Sequence, residues 1–321
     1  MKTPSRFAVL ALAALCAPAA GAADKYPIRP IRLIAPFPPG GGTDILGRVI
    51  AVPVSEALGQ QVVVDNRPGA GGAVGAEITA RAEPDGYTLV IVSSSYTATS
   101  AYRKTPYDPV NGIQPIILLG TTGLVLVVHP SVPVKSVKEL VAYAAANPGK
   151  LNYASVGGGS VVHLGLELFK LETRTNIVHI PYKGGGPALT AVVASEVQLT
   201  AISMVPTLPH VRAGRLRPIG VTHPKRSSLL PDVATIGETV PGYELVHWYG
   251  IWAPKGMPRE IVGRWNREVA KVLNSPEMKK QMATEGLDAA GGPPGELQQV
   301  IARDVAKWRR VIKEAKIERV D

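Results

Sequence analysis

Short apolar or β-branched runs alternate with helical patterns along almost the whole chain, and glycine-rich turns join them. Residues 31–37 (IRLIAPF), 61–65 (QVVVD) and 87–93 (YTLVIVS) read as strands bounded by Gly, Pro or Asn. Helical stretches over 44–58 and about 72–81 lie between them, and Pro53 inside the first predicts a kink or a break. This β-α-β-α order implies a parallel sheet with helices on both faces. The pattern restarts after Thr105-Pro106-Tyr107-Asp108-Pro109. Residues 116–128 form a long β run, 136–146 a helix, and further strands are expected at 151–155, 176–182, 197–203 and 216–222. Helices at 160–172 and 187–195 separate the first three of these. From Tyr243 the chain gives one more strand and then three helical segments, the last two at about 276–285 and 294–316. Leu297, Val300, Ile301, Val305, Trp308 and Ile312 recur at helical spacing, so the final helix needs a core to lie on. With 321 residues, 45% of them hydrophobic, the chain is long enough for two α/β lobes.

One turn type recurs. Ile34-Ala35-Pro36-Phe37-Pro38-Pro39-Gly40-Gly41-Gly42 leads from a strand into a helix, and Val178-His179-Ile180-Pro181-Tyr182-Lys183-Gly184-Gly185-Gly186 does the same. Val156-Gly157-Gly158-Gly159-Ser160 and Arg67-Pro68-Gly69-Ala70-Gly71-Gly72 are related turns. Glycine admits close approach to the backbone, and free N–H groups at a helix N-terminus attract an anion. Taken singly, such turns are also tight connections and nothing more; the match between the two halves favours binding.

Other chemistry finds no pattern. The sixth residues counted from Gly40, Gly69 and Gly184 are Ile45, Val74 and Leu189, so the dinucleotide fingerprint fails, and there is no P-loop. The zinc-protease, nucleophile-elbow and Ser-x-x-Lys motifs are missing. Ser160 and His163, at i and i+3, are the nearest approach to a nucleophile–base pair and support an alternative reading as a secreted serine hydrolase; the competing role for Ser160 is a helix cap. The six histidines lack ligand spacing, and the single cysteine, Cys16, precludes an internal disulfide, so neither metal nor cofactor is expected. Aromatic residues, 5% of the chain, are too sparse for a nucleic-acid stacking platform.

Lys2 and Arg6, an apolar run from Phe7 to about Leu15, and Ala20-Gly21-Ala22 form the three parts of a secretory signal peptide. Cleavage near Ala22 removes two of the 35 positive residues and lowers the net charge from +10 to +8. In a secreted protein, a scattered positive field of that size suits small anionic ligands.

The sequence resembles the Bug family, periplasmic solute-binding proteins of tripartite tricarboxylate transporters. The resemblance rests on Pro36-Phe37-Pro38-Pro39-Gly40-Gly41-Gly42-Thr43-Asp44, Val64-Asp65-Asn66-Arg67-Pro68-Gly69-Ala70-Gly71-Gly72 and Pro84-Asp85-Gly86-Tyr87-Thr88-Leu89. It continues through Pro106-Tyr107-Asp108-Pro109, Tyr182-Lys183-Gly184, Ala213-Gly214-Arg215-Leu216-Arg217, Leu230-Pro231-Asp232-Val233 and Trp248-Tyr249-Gly250. It implies a type II periplasmic-binding-protein fold, two α/β lobes closing on a ligand in the cleft. One lobe would comprise residues 24–123 and 236–321, the other 124–235.

The implied function is capture of a small carboxylate by a monomeric receptor, without catalysis, and delivery to the transporter's membrane subunits; presentation to a membrane sensor kinase is the variant. The implied ligand loops carry Pro38, Gly40, Gly41, Gly42, Thr43 and Asp44 on one side, and Tyr182, Lys183, Gly184 and Gly185 on the other. Ser93, Ser94 and Ser95 begin a third loop; Ser155, Gly158, Gly159 and Ser160, followed by His163, form a fourth. Ser94-Ser95-Tyr96-Thr97 and Ser203 depart from the family's usual residues beside the pocket, which puts the ligand's identity in doubt. Lys183 reads equally as a ligand clamp or a solvated loop residue, and Trp248 and Tyr249 as cleft wall or core.

Overall fold

The computed structural model describes residues 26–320, so the expected signal peptide and Cys16 lie outside the described residues. Two mixed sheets organise the chain. The first has the order β11-β4-β10-β3-β1-β2 and the second β7-β6-β8-β5-β9. In the first, β1 (Ile31–Ala35) runs parallel to β2 (Val62–Asn66) and β3 (Thr88–Ser93), while β10 (His247–Pro254) enters antiparallel between β3 and β4 (Ile113–Thr122), and β11 (Asp288–Ala289) closes the edge. In the second, β6 (Asn152–Ser155) is parallel to β7 (Val178–Pro181) and β8 (Leu199–Ser203), and β5 (Leu124–Val128) lies antiparallel between β8 and β9 (Arg217–Val221). All five residues of β5 and all eight of β10 are buried, as expected of strands covered by helices on both faces.

The continuous β run over 116–128 divides at Gly123, where the chain leaves the first sheet for the second. Hydrophobicity alone does not reveal that crossing. A Cβ on Gly123 would lie 2.7 Å from Val221 Cγ1 and 2.9 Å from His223 Cβ, so only glycine passes. The return crossing is fastened to the outgoing one by Thr222. Its Oγ1 accepts from the Leu124 N–H (2.9 Å) and donates to the Leu245 carbonyl (3.0 Å).

Helix α1 (Gly42–Leu58) continues through Pro53 as one helix, so the proline does not break it. Pro53 is only partly buried, whereas Leu46, Ile50, Val54 and Leu58 fasten the other face to the core, and that burial outweighs one lost backbone bond. After α2 (Ala73–Ala80), the serine-rich segment expected as a loop forms α3 (Ser95–Tyr102), buried throughout Ser95–Ala101. Its sequence, SYTATSAY, has no apolar stripe because it is enclosed on every side.

Then come α4 (Val137–Ala146), α5 (Val161–Thr173), α6 (Gly185–Val193) and α7 (Met204–Arg212), the last unforeseen between two strands. Helices α8 (Arg259–Asn274), α9 (Pro276–Thr284) and α10 (Pro294–Glu314) complete the fold. Ala98 and Ala101 of α3 and Trp308, Val311 and Ile312 of α10 share a hydrophobic core with Leu126, Tyr153 and Phe169 from the second sheet and its helices. Helices α3 and α10 therefore pack against the second sheet and its helices.

Candidate functional site

Five helices point their N-termini at one small cavity between the sheets. Gly41 and Gly42 at the start of α1, Ser95 of α3, Val161 of α5, Gly185 of α6 and Ser203 at the start of α7 all line it. The arrangement follows from the topology, because each helix succeeds a strand and the ends of β3, β6 and β8 converge there. Among these starts only α5 is capped by its own side chain, the Ser160 hydroxyl accepting from the His163 N–H. The N-cap side chains of the others make no cap bond, although at α3 the Ser95 N–H donates to Ser93 Oγ (3.4 Å).

The cavity measures about 50 Å³, and Thr43, Ser93 and Tyr249 complete its polar wall, with Phe37, Leu124 and Val156 among its apolar residues. No Asp, Glu, Lys or Arg lines it. His247 does line it, but burial pushes that imidazole's pKa down to about 3, so it is neutral at physiological pH. With roughly half a positive charge at each helix start, the site suits an anion that brings no counter-ion.

Asp44 is buried beneath this wall and faces the turn before α1. Its carboxylate accepts from the Gly40 N–H (2.9 Å), Arg48 Nε (2.9 Å) and Asn66 Nδ2 (3.0 Å). Burial raises its pKa, but bonds from Arg48, Gly40 and Asn66 outweigh that and hold the carboxyl below its usual range. Asn66 Nδ2 also donates to the Phe37 carbonyl, so Asp44 and Asn66 together position the glycine turn.

Of the expected loop residues, Gly40, Gly41, Gly42, Thr43, Ser93, Ser95, Gly185 and Ser203 reach this cavity. Pro38, Gly158, Tyr182, Lys183 and Gly184 line a second cavity of about 550 Å³, with Tyr102 and Arg103, on the far side of Phe37 and Val156. The two principal loops meet there: a Cβ on Gly184, at φ +115°, would lie 2.8 Å from Pro38 Cδ. Gly159 packs under the Tyr102 ring, and Ser155 Oγ lies 2.6 Å from His179 Nε2. Tyr249 is cavity wall; Trp248 is core, its indole N–H donating to Asp304 Oδ2 (2.7 Å).

The Ser160–His163 pair does not form. Ser160 Oγ is occupied by the main-chain N–H of His163, while the ring's Nδ1 accepts from the Gly159 N–H (3.0 Å). Sequence reasoning missed His247, which arrives from a strand remote from the glycine turns, and the apolar lining residues Leu124, Val162, Ile202 and Pro206, which read as ordinary core.

A profile described as tripartite tricarboxylate transporter family receptor matches residues 46–317. Protein BugT of Bordetella pertussis is 37% identical over 309 residues, covering 95% of this chain and 94% of the relative. The solved structure of R. palustris Rpa4515 with adipate is similar at a TM-score of 0.88 and 38% identity, over 92% of this chain and 100% of that one. MatC from Rhodopseudomonas palustris with bound malate gives a TM-score of 0.85 and 29% identity, over 89% and 100%. These neighbours share the two-lobed binding-protein fold, and the family is one of receptors, so the hydrolase reading falls. The chain belongs to the tripartite tricarboxylate transporter receptor family, among the Bug proteins.

Proposed function

We propose that this protein is a periplasmic receptor that captures a small carboxylate between its lobes and delivers it to the membrane subunits of a tripartite tricarboxylate transporter. The convergence of five helix N-termini on a cavity with no ionised side chain carries the reading. A carboxylate there gains main-chain donors and helix dipoles without the cost of burying a second charge. The relatives crystallised with adipate and malate support the same class of ligand.

A cavity of about 50 Å³ suits a small acid. Closure selects the liganded state from an open–closed equilibrium, with the crossings at Gly123 and Thr222 as the hinge between lobes 24–123 plus 236–321 and 124–235. The receptor acts as a monomer after its leader is removed near Ala22.

Native mass spectrometry of the purified protein, followed by a thermal-shift screen of mono-, di- and tricarboxylates, tests this. A true ligand at a hundredfold excess over Kd stabilises the fold by about 2.7 kcal/mol and is recovered unchanged. A screen in which no acid stabilises the protein rejects the reading.

A further inference from the structure

Ser94 and His247 form a buried pair that the receptor reading does not use. Ser94 Oγ lies 2.6 Å from His247 Nδ1, and the two residues are 0% and 4% exposed. The Ser94 hydroxyl has no other hydrogen-bond partner among the described residues. If Nδ1 carried the proton and donated, the serine's own hydrogen would be buried without an acceptor. The satisfied arrangement has Ser94 Oγ–H donating to Nδ1, which leaves the proton of a neutral imidazole on Nε2. Nε2 has no protein partner among the described residues, although the ring forms part of the cavity wall and packs edge-on to Tyr249 at 4.8 Å.

We propose that His247, held as the Nε2–H tautomer by Ser94, is a specificity-determining donor in the cavity, and that Ser94 is its positioning residue. The proposal rests on the carboxylate-receptor reading and sharpens it. The cavity's hydroxyls, on Thr43, Ser93, Ser95, Ser203 and Tyr249, both donate and accept. A neutral Nε2–H only donates. It therefore demands a carboxylate, carbonyl or ether oxygen from the ligand at that wall and leaves an ammonium there unpaired, which disfavours amino acids that place their nitrogen against it.

The test uses the protein labelled with 15N-histidine and 15N-glycine, with adipate, malate and 6-aminohexanoate as probes; the last carries a protonated aminomethyl group in place of one carboxylate of adipate. At pH 7 the His247 ring nitrogens are expected to show the Nε2–H tautomer, and Ser94→Ala to shift the population towards Nδ1–H. The probe that binds is expected to move the Gly41 and Gly185 amides together with His247 Nε2, and 6-aminohexanoate to bind more weakly than adipate. His247→Phe should weaken the bound acid by about tenfold or more, the loss expected for a hydrogen bond to a charged group, while His247→Gln, which retains an N–H donor, recovers most of the affinity. An Nδ1–H tautomer in the unmodified protein overturns the proposal. So do glycine amides that respond to an acid while His247 stays silent and His247→Phe binds as tightly. If no acid of the thermal-shift screen, these three probes included, moves the Gly41 or Gly185 amides, the carboxylate reading falls first and this one with it.

Discussion

The imidazole rings of His163 and His179 stack with centroids 3.9 Å apart and planes 12° from parallel, directly beneath the glycine turn that opens α5. Burial is the main cause that lowers both pKa values, to about 4 for His163 and about 3 for His179. Lys170 lowers both further, His163 lowers His179, and Glu167 opposes the shift at His179. Tyr153 and Tyr102 close the stack on its remaining sides.

Acid should therefore unfold this lobe early. The folded pKa values lie below the unfolded value of about 6.5, so the unfolded chain binds more protons between them. The contribution of the two rings is complete above about pH 6.5 and is lost as pH falls towards their folded values, at up to about 1.4 kcal/mol per pH unit for each ring. Denaturant titrations at pH 7.5, 6 and 5 should show falling stability. His163→Gln, which still accepts from the Gly159 N–H but does not ionise, should flatten the slope. Equal stability at pH 7.5 and 5 in the unmodified protein would contradict the assignment.

The two principal loops touch at Gly184 and Pro38. Gly184 sits at φ +115° with Pro38 against it, and an added Cβ would come within 2.8 Å of Pro38 Cδ and 3.0 Å of its Cγ. Gly184→Ala should weaken carboxylate binding by about tenfold or more, because the clash and the backbone strain, of order 1–3 kcal/mol, oppose the closed form. Pro38→Ala in the same chain should restore part of the affinity by removing the clash. Isothermal titration of both variants checks this; a double variant no better than Gly184→Ala would assign the whole loss to the backbone.

The fold was largely legible because β1 and β3 are rich in apolar residues and bounded by turn residues, and because α8 and α10 carry clean helical stripes. What escaped lacks any stripe. SYTATSAY is a helix only because the surrounding core encloses it, and the chain changes sheets at Gly123 within an unbroken hydrophobic run. In the site, the glycine turns announce helix starts, whereas partners such as Asn66 below Asp44 and His247 beside Ser94 are brought in by the sheet order, which no local pattern encodes. Lys183 shows the converse, a residue adjacent to the right loop in sequence whose side lines a different cavity.

Thr222 ties the two crossings between the sheets together. Thr222→Val keeps the shape but leaves the Leu124 N–H without its hydroxyl acceptor and the Leu245 carbonyl without its hydroxyl donor. Buried groups stripped of a partner cost about 1–3 kcal/mol, so urea unfolding should reveal a loss of that size. Thr222→Ser, which preserves both bonds, should lose distinctly less. Equal losses in the two variants would remove the hydrogen bonds from the account.

Ligand affinity should depend only weakly on salt. The cavity wall carries no Lys or Arg, and Lys183, which is exposed, lines the separate 550 Å³ cavity beyond Phe37. Helix dipoles and main-chain donors in a cavity walled by buried residues are screened less than a solvent-exposed ion pair, for which the Debye length shrinks from about 30 Å at 0.01 M to about 10 Å at 0.1 M. Raising ionic strength across that range should change the Kd for a bound carboxylate by no more than about twofold, and Lys183→Ala should change it equally little. Titrations at the two ionic strengths, with and without Lys183→Ala, decide the matter. A steep salt dependence that disappears in the variant would make Lys183 a direct clamp and displace the helix N-termini as the main source of affinity.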